Sequence, residues 1–327
     1  MLYQDALLQR LETGLRSALP NWELTDAAEL RLLTISENAT YVVEEAGRRL
    51  IVRVHRPGYR TPKEIGSELA WIGALRAEGI VDTPAPVPTR DGALLSGFDD
   101  DGQRRHVVAF AFMEGREPDP SDDLVPWFRE LGAITARLHA HARSWARPEG
   151  FTRKAWTVES ILGSRPVWGD WRAGLGLTPD GRAILERVAA TLEIRLAAYG
   201  MGEARFGLIH ADLRLANLLV EGPRLGVIDF DDCGFSWFGF DFAAAVSFFE
   251  HEPFIPAVRE AWVEGYRGVA PLAREDEEAI SLFLMLRRLH LTAWIASHAE
   301  TPTAQGCGAP YTDGTVILGE RFLASFG

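Results

Sequence analysis

A short polar stretch between two apolar segments holds the residues best suited to chemistry. From His210 to Phe230 the sequence reads HADLRLANLLVEGPRLGVIDF, which places Asp212, Asn217 and Asp229 within twenty residues of one another. A loop carboxylate can accept a hydroxyl proton, and an amide oxygen and a second carboxylate are hard ligands of the kind that Mg²⁺ prefers. Phosphoryl transfer needs such a set, because the nucleophile must be positioned and the spreading negative charge must be neutralised. The spacing therefore predicts a phosphoryl-transfer site.

Each polar residue of this stretch has a predicted role. Asp212 is expected to be the base that accepts the proton of the acceptor hydroxyl, and Asn217 and Asp229 are expected to hold Mg²⁺. Asn217 and His210 complete the predicted catalytic set. For His210 a structural role in the loop is preferred over direct acid–base work.

The first 114 residues are predicted to form a small sheet with two helices, because short β-type runs alternate with turn residues there. Thr61 is a plausible helix N-cap and Pro62 suits the first helical position. The predicted helices are Tyr3–Leu19 and Thr61–Ala77, and the predicted strands are Leu30–Ile35, Tyr41–Glu45, Arg49–His55, Ala93–Ser96 and His106–Met113.

Residues 115–327 are predicted to be mostly helical, because apolar residues recur there at helical spacing. The polar stretch lies between two short predicted strands, Gly207–His210 and Leu225–Phe230. The clearest predicted helices are Trp127–Arg143, Arg182–Tyr199 and Glu275–Ser297, and residues 156–176 receive no assignment. The expected class is therefore α+β, with domains 1–114 and 115–327.

The order of the polar residues resembles a known pattern. Protein kinases carry H-R-D-L-x-x-x-N followed by D-F-G, and this chain has H-A-D-L-x-x-x-N followed by D-F-D. With the small residue after His210 and the later Gly234 and Asp241, the chain resembles the aminoglycoside phosphotransferase (APH) superfamily. That superfamily includes choline kinases, type II homoserine kinases and a bacterial stress-response Ser/Thr kinase, and the last two branches are the most similar.

This resemblance implies a bilobal, protein-kinase-like fold that uses ATP and Mg²⁺. The smaller N-terminal lobe, with an antiparallel sheet, would bind the nucleotide, and the helical lobe would carry the catalytic loop and the acceptor. The resemblance also implies Asp212 as the base, Asn217 and Asp229 as metal ligands, and Asp241 as a buried support of the loop.

The nucleotide side shows a departure from the usual pattern. Kinase-like folds use a strand lysine that contacts the α- and β-phosphates and a helix glutamate that holds it. Here the strand offers Arg53, and Glu68 on the following helix is the predicted partner. A surface arginine in an ordinary salt bridge is the alternative, since arginine and lysine are not interchangeable.

Two further segments are candidates for nucleotide contact. The loop Ser36–Thr40 would turn Asn38 and Thr40 toward the triphosphate, although an ordinary hairpin turn accounts for it equally well. Phe112, Met113 and Glu114 lie where the predicted strand His106–Met113 ends and would present backbone groups to adenine; a simple buried strand is the alternative.

Composition limits the partners. The formal net charge of −12 argues against a general nucleic-acid binder, which needs a basic face. The apolar runs are shorter than the roughly 20 residues that a membrane span needs. The N-terminus lacks the pattern of a signal peptide, and two cysteines allow no disulfide framework. A cytoplasmic monomer or homodimer is expected.

The sequence leaves the acceptor open. The leading hypothesis is a kinase that phosphorylates the hydroxyl of a small molecule: an amino alcohol, a homoserine-like or an aminoglycoside-like compound, with a cationic acceptor as one option. A bacterial stress-response Ser/Thr protein kinase is the first alternative, and a pseudokinase-like nucleotide-binding module, suggested by Arg53, is the second. The aromatic residues of Trp156–Trp171 and Trp294 are candidate acceptor walls, with an ordinary core as the alternative.

Overall fold

The computed structural model describes residues 5–36 and 38–327, which form two compact units. The first unit comprises residues 1–115, as far as they are described, together with residues 146–153. The second unit comprises residues 116–145 and 154–327. The return of residues 146–153 to the first unit was not predicted from the sequence. The predicted Tyr3 and the loop residue Glu37 lie outside the described residues.

The first unit contains a five-stranded antiparallel sheet with the strand order β1-β2-β3-β5-β4. The second helix begins as predicted: Thr61 accepts a hydrogen bond from the backbone N–H of Glu64, and Pro62 occupies the first turn. The elements are α1 Asp5–Ala18, β1 Glu29–Ile35, β2 Asn38–Glu45, β3 Arg48–His55, α2 Pro62–Ala77, β4 Ser96–Asp100 and β5 Gln103–Ala111.

The first residues of strands β2 and β4 differ from the prediction. Strand β2 begins at Asn38, so Asn38 and Thr40 lie in the strand and not in the predicted loop. Their backbone groups complete the ladder with β3, where Asn38 pairs with His55 and Thr40 with Arg53. The prediction of a strand at residues 93–96 was wrong, because β4 starts only at Ser96.

One face of this sheet forms the core of the first unit. Alternate residues of β2 and β3, including Tyr41, Val43 and Val52, are buried against the helix side chains Leu11 and Leu15. Since strand side chains alternate between faces, Thr40 and Arg53 lie together on the opposite face. On that face Arg53 is itself buried.

The second unit is mainly helical, with two short two-stranded antiparallel sheets, β6–β9 and the hairpin β7–β8. The α+β class predicted from the sequence is confirmed. The elements are α3 Val125–Ser144, α4 Val158–Leu162, α5 Pro179–Tyr199, β6 Phe206–Ile209, β7 Leu218–Glu221, β8 Arg224–Val227, β9 Gly234–Trp237, α6 Phe240–Ala245, α7 Ile255–Arg267, α8 Arg274–Ser297 and α9 Pro302–Phe326.

Helix α8 is the central helix of the second unit. It is long and apolar enough to cross a membrane, yet 83% of its most apolar window is buried inside the protein. It packs against α6 and α9, and two consecutive arginines, Arg287 and Arg288, lie within it and are themselves buried. Buried charges require partners, and the partners of Arg287 identify the candidate site.

Candidate active site

The catalytic loop predicted from the sequence lies between β6 and β7. The β7–β8 hairpin pairs Leu218 with Val227, and the carbonyl of Asn217 accepts a hydrogen bond of 2.9 Å from the backbone N–H of Ile228. This pairing brings Asn217 beside the segment that carries Asp229. The strand ends earlier than predicted, at Val227, so Asp229 lies beyond it with an exposed side chain and a φ of 61°.

Asp212 is held by three side chains. The Nδ2 of Asn217 donates to the Asp212 carboxylate (Oδ2) at 2.7 Å and to its backbone carbonyl at 2.8 Å. Arg214 Nε donates to the same Oδ2 at 3.2 Å, and Arg287 Nη2 donates to Oδ1 at 2.8 Å. Because both groups that face Asn217 Nδ2 are acceptors, the side-chain oxygen of Asn217 is directed away from Asp212.

The electrostatics of the site keep Asp212 ionised. Burial favours the neutral acid, but the cations Arg214 and Arg287 outweigh it, and the pKa of Asp212 is held below its usual range. A low pKa makes this carboxylate a weak base and a dependable acceptor of hydrogen bonds.

The sequence did not predict Arg287. It lies 75 residues after Asp212 on α8, and no local motif connects the two. A signal was present, however: Arg287 and Arg288 interrupt the apolar run LFLMLRRLHLTAW. Charged residues are almost never fully buried unless they are paired, so this interruption indicated buried ionic partners without identifying them.

Asp241 supports the catalytic loop through hydrogen bonds to its backbone. Its fully buried carboxylate accepts hydrogen bonds from the backbone N–H groups of Ala211 (2.7 Å) and His210 (3.3 Å) and from His139 Nε2 (2.9 Å). Ala211 has a φ of 67°, a conformation that is uncommon outside glycine. Such strain persists where the surroundings determine it, and it concentrates at functional sites.

His210 is a structural residue of the loop. Its ring is fully buried, Nδ1 accepts a hydrogen bond from the backbone N–H of Asp212 (3.3 Å), and Nε2 donates to the carbonyl of Ile228 (3.1 Å). With both nitrogens engaged by backbone, the ring has no direct access to a substrate. Of the two roles considered from the sequence, the geometry favours the structural one.

In the first unit, the predicted pair of Arg53 and Glu68 is present. Arg53 Nη1 lies 2.7 Å from Glu68 Oε1, and both side chains are buried. The guanidinium also lies over the ring of Phe110, with 5.2 Å between Cζ and the ring centroid. The pair is therefore not a surface salt bridge, and its role in nucleotide binding stays a prediction.

The residues predicted to contact adenine lie just after strand β5, and two of them contact Arg49. Strand β5 ends at Ala111, two residues before its predicted end, so Phe112, Met113 and Glu114 follow the strand. Arg49 lies 4.0 Å from the ring centroid of Phe112 and forms an ion pair with Glu114. The contacts of Asn38, Thr40 and these three residues with a nucleotide also stay predictions.

We expect two replacements of Arg53 to show how much its positive charge contributes to stability. Arg53→Met should lower the free energy of unfolding by roughly 3–5 kcal/mol, because it removes a cation that pairs with the buried Glu68 carboxylate. Arg53→Lys should retain most of the stability. Urea unfolding measures both, with Arg49→Met in the exposed pair on the same strand as the control, expected to cost about 0–1 kcal/mol. Equal losses for Arg53→Met and Arg49→Met would contradict this assignment.

Three buried histidines give the protein a predictable pH dependence. Burial lowers the pKa of His139, His210 and His290, for His290 well below its usual value. Below about pH 6.5 these histidines therefore bind protons in the unfolded chain but not in the folded protein. As the pH is lowered, the free energy of unfolding decreases by up to about 1.4 kcal/mol per pH unit for each histidine.

We expect His290→Phe to remove one part of this slope, since His290 stacks on Trp168 and its ring nitrogens form no hydrogen bond within the described residues. Urea unfolding between pH 7.5 and 5.5 measures the slope. The exposed His251 is the control, and His251→Gln should leave the slope unchanged. A His290→Phe slope equal to that of the parent would contradict the role of burial.

The aromatic residues proposed as acceptor walls belong mainly to the core. Trp156, Trp168, Trp171 and Trp294 are all buried in the main hydrophobic cluster of the second unit.

The two cysteines, Cys233 and Cys307, are both thiols and form no disulfide with each other.

Comparison with known proteins identifies the class. The architecture and the arrangement around Asp212 are those of a kinase-like phosphotransferase. Residues 30–283 match the phosphotransferase enzyme family (APH), which is most of the chain. The chain belongs to this family, as its motifs predicted, and it is a phosphotransferase of the protein-kinase-like fold.

Three similar proteins show how far the likeness extends along the chain. A solved microcompartment-associated aminopropanol kinase is 45% identical, with a TM-score of 0.89 over 96% of this chain and 98% of that one. An uncharacterised protein of Deinococcus radiodurans is 31% identical over 91% of this chain and 84% of its own. The amicoumacin kinase hAmiN, solved with AMP-PNP and Ca²⁺, shares the fold at 20% identity, with a TM-score of 0.74 over 96% of this chain and 94% of that one.

Proposed function

We propose that this protein transfers the γ-phosphoryl group of ATP to the hydroxyl of a small amino alcohol. The family and the small-molecule kinases among its relatives support the reaction class. The choice of an amino alcohol rests on the aminopropanol kinase, which is similar over nearly its whole length. The observation that carries the proposal is the Asp212 carboxylate, held by Asn217, Arg214 and Arg287.

Asp212 is proposed as the group that receives the acceptor hydroxyl. Its two oxygens offer about four lone pairs, and three are occupied by Asn217, Arg214 and Arg287. The remaining position can accept the O–H of the acceptor and so fix its oxygen for in-line attack. Because Asp212 is a weak base, it orients the hydroxyl first and takes the proton as the oxygen–phosphorus bond forms.

Asn217 and Asp229 are proposed to hold Mg²⁺. The fit is chemical: the Asn217 oxygen is directed away from Asp212, and the exposed Asp229 follows the backbone partner of Asn217. Among the residues that the structure describes, no cluster of three or more histidines, cysteines or acids could hold a metal. Mg²⁺ commonly takes only one or two carboxylates besides phosphates and water. When bound, it would neutralise charge on the nucleotide phosphates.

An acceptor panel tests the proposal. Release of ADP from Mg²⁺-ATP is measured with 1-amino-2-propanol, ethanolamine, choline, homoserine, an aminoglycoside and a generic protein acceptor. We expect turnover with an amino alcohol and none above background with the protein. Turnover with the protein alone would favour the stress-response kinase, and nucleotide binding without any turnover would favour the pseudokinase.

Replacing Asp229 tests the metal assignment. We expect Asp229→Ala to raise the Mg²⁺ concentration for half-maximal turnover by about tenfold or more, because one of two protein ligands is lost. A Mg²⁺ titration of ADP release measures this. Glu221→Gln, an exposed acid on the neighbouring strand β7, is the control and should leave the titration unchanged. A parent-like titration for Asp229→Ala would remove Asp229 from the site.

A further inference from the structure

Arg287 is a buried cation whose guanidinium contacts two different residues along one edge. Its side chain is only 3% exposed and contacts the Asp212 carboxylate through Nη2 at 2.8 Å. On the same edge of the guanidinium, Nε donates to the hydroxyl of Ser247 at 3.0 Å. These three residues come from α8, the catalytic loop and the segment after α6, so the contact joins distant parts of the second unit.

We propose that Arg287 is a positioning residue for phosphoryl transfer, which holds the Asp212 carboxylate in the orientation that receives the acceptor hydroxyl. This inference rests on the proposed function, because it gives Arg287 a role only through Asp212. Arg287 itself is not assigned to contact the nucleotide or the acceptor.

The surroundings of Arg287 leave it little freedom. Its Cζ lies 5.3 Å from the ring centroid of Trp168 and 5.9 Å from that of Phe240. The hydroxyl of Ser247 donates to the carbonyl of Ala244 at 2.7 Å, which directs an oxygen lone pair toward the guanidinium. A planar fork that packs near two rings and donates to a fixed hydroxyl presents Nη2 at one place.

The backbone next to Ser247 is also unusual. Phe248 has a φ of 77°, an outlier for a bulky side chain. Its ring packs beside Trp294 and Tyr311, with centroid separations of 6.3 and 6.0 Å. Strained backbone of this kind persists where packing determines it. Here the packing of the Phe248 ring fixes the turn that carries Ser247.

The shape of the guanidinium explains why an arginine is needed. Its Nε–H and one Nη2–H lie on the same edge of one rigid plane and engage Ser247 and Asp212 at the same time. A lysine ammonium could reach one of these groups but would lack the planar fork that spans both. A misplacement of about 1 Å at a reacting group can cost about 100-fold in rate.

The adjacent Arg288 provides a matched comparison. It is as buried as Arg287, yet it points to another part of the unit, where it pairs with Glu250 at 2.6 Å and donates to Thr315 at 2.9 Å. Its contacts tie α8 to α9 and to Glu250 in the segment after α6, and none of them is with Asp212 or Ser247. A change at Arg288 therefore reports the structural cost of altering a buried arginine in this helix.

The experiment compares the two arginines in the full chain, with 1-amino-2-propanol and Mg²⁺-ATP as probes. We expect Arg287→Met to lower kcat by about 100-fold and Arg287→Lys by about tenfold, with the KM for ATP within about threefold of the parent. Arg288→Lys should keep kcat within about twofold even if it lowers the Tm. The split between kcat and KM separates positioning from a general loss of structure.

Ser247→Ala provides a milder variant in case Arg287→Met does not fold. It keeps both charges and removes only the anchor of Nε, so we expect kcat to fall by roughly three- to tenfold with unchanged KM. In an Asp212→Asn background, Arg287→Lys should have no further effect on the residual rate, because Arg287 acts through Asp212.

The outcomes separate this inference from the proposed function. If Arg287→Lys and Ser247→Ala both keep kcat within twofold of the parent while Asp212→Asn is inactive, Arg287 is not a positioning residue and the proposed function stands. If Arg288→Lys lowers kcat as much as Arg287→Lys, the effect is structural and the inference is wrong. A parent without turnover on any amino alcohol of the acceptor panel would overturn both.

Discussion

Replacing Asp212 with asparagine is expected to lower kcat by about 10²–10⁴-fold, the usual contribution of a positioned acid–base group. Asparagine keeps the size of the side chain but presents a neutral amide where the acceptor proton must go. Arg287 and Arg214 would lose their anionic partner, so a smaller unfolding free energy is also expected. Steady-state ADP release with 1-amino-2-propanol gives kcat, and the KM for ATP should change little.

The control for Asp212→Asn must lose a carboxylate elsewhere in the same unit. Asp313 on α9 is exposed and far along the chain from the catalytic loop, so Asp313→Asn should retain the kcat of the parent. An Asp212→Asn protein that is folded and keeps more than a tenth of the parent kcat would rule out Asp212 as the base.

Asp241→Ala is expected to combine a large loss of stability with a loss of activity. The substitution leaves two buried backbone N–H groups and His139 without their acceptor. Each unsatisfied buried group costs about 1–3 kcal/mol, so a loss of roughly 3–5 kcal/mol of unfolding free energy is expected. The backbone at Ala211, with its positive φ, would lose its support, and Asp212 with it.

Asp241→Asn refines this experiment. An asparagine has one acceptor oxygen where the carboxylate has two, so one of the three donors must lose its partner. Its stability should lie between those of the parent and Asp241→Ala. Urea unfolding and kcat are measured on the same samples, with Asp313→Asn as the exposed control. If Asp241→Ala had parent-like stability, Asp241 would not support the loop.

Much of the site could be predicted because its geometry is local. Asp212 and Asn217 lie five residues apart in one loop, and a short hairpin returns the chain to Asp229, so sequence spacing nearly determines their proximity. The pair of Arg53 and Glu68 could also be predicted, because a strand followed by a helix brings the two positions together. The family motif supplied the chemical roles, which the spacing alone did not establish.

The rest depends on packing between distant segments. Arg287 approaches Asp212 only because α8 crosses the second unit behind the catalytic loop, and His139 reaches Asp241 from α3, 102 residues away. A buried polar residue in an apolar helix indicates that a hydrogen-bonding or ionic partner exists. Which residue is that partner depends on how the helices pack. The boundary errors at Asn38 and Ser96 have a related cause, because strands end where pairing ends and not where propensity changes.

The most direct test of the proposed transfer is a ³¹P NMR spectrum of the purified protein after incubation with Mg²⁺-ATP and 1-amino-2-propanol. We predict a new phosphate-monoester signal that grows in equal amount with ADP and is absent with Asp212→Asn. ATP that stays unchanged, or ADP that accumulates with inorganic phosphate in place of the monoester, would contradict phosphoryl transfer to this hydroxyl.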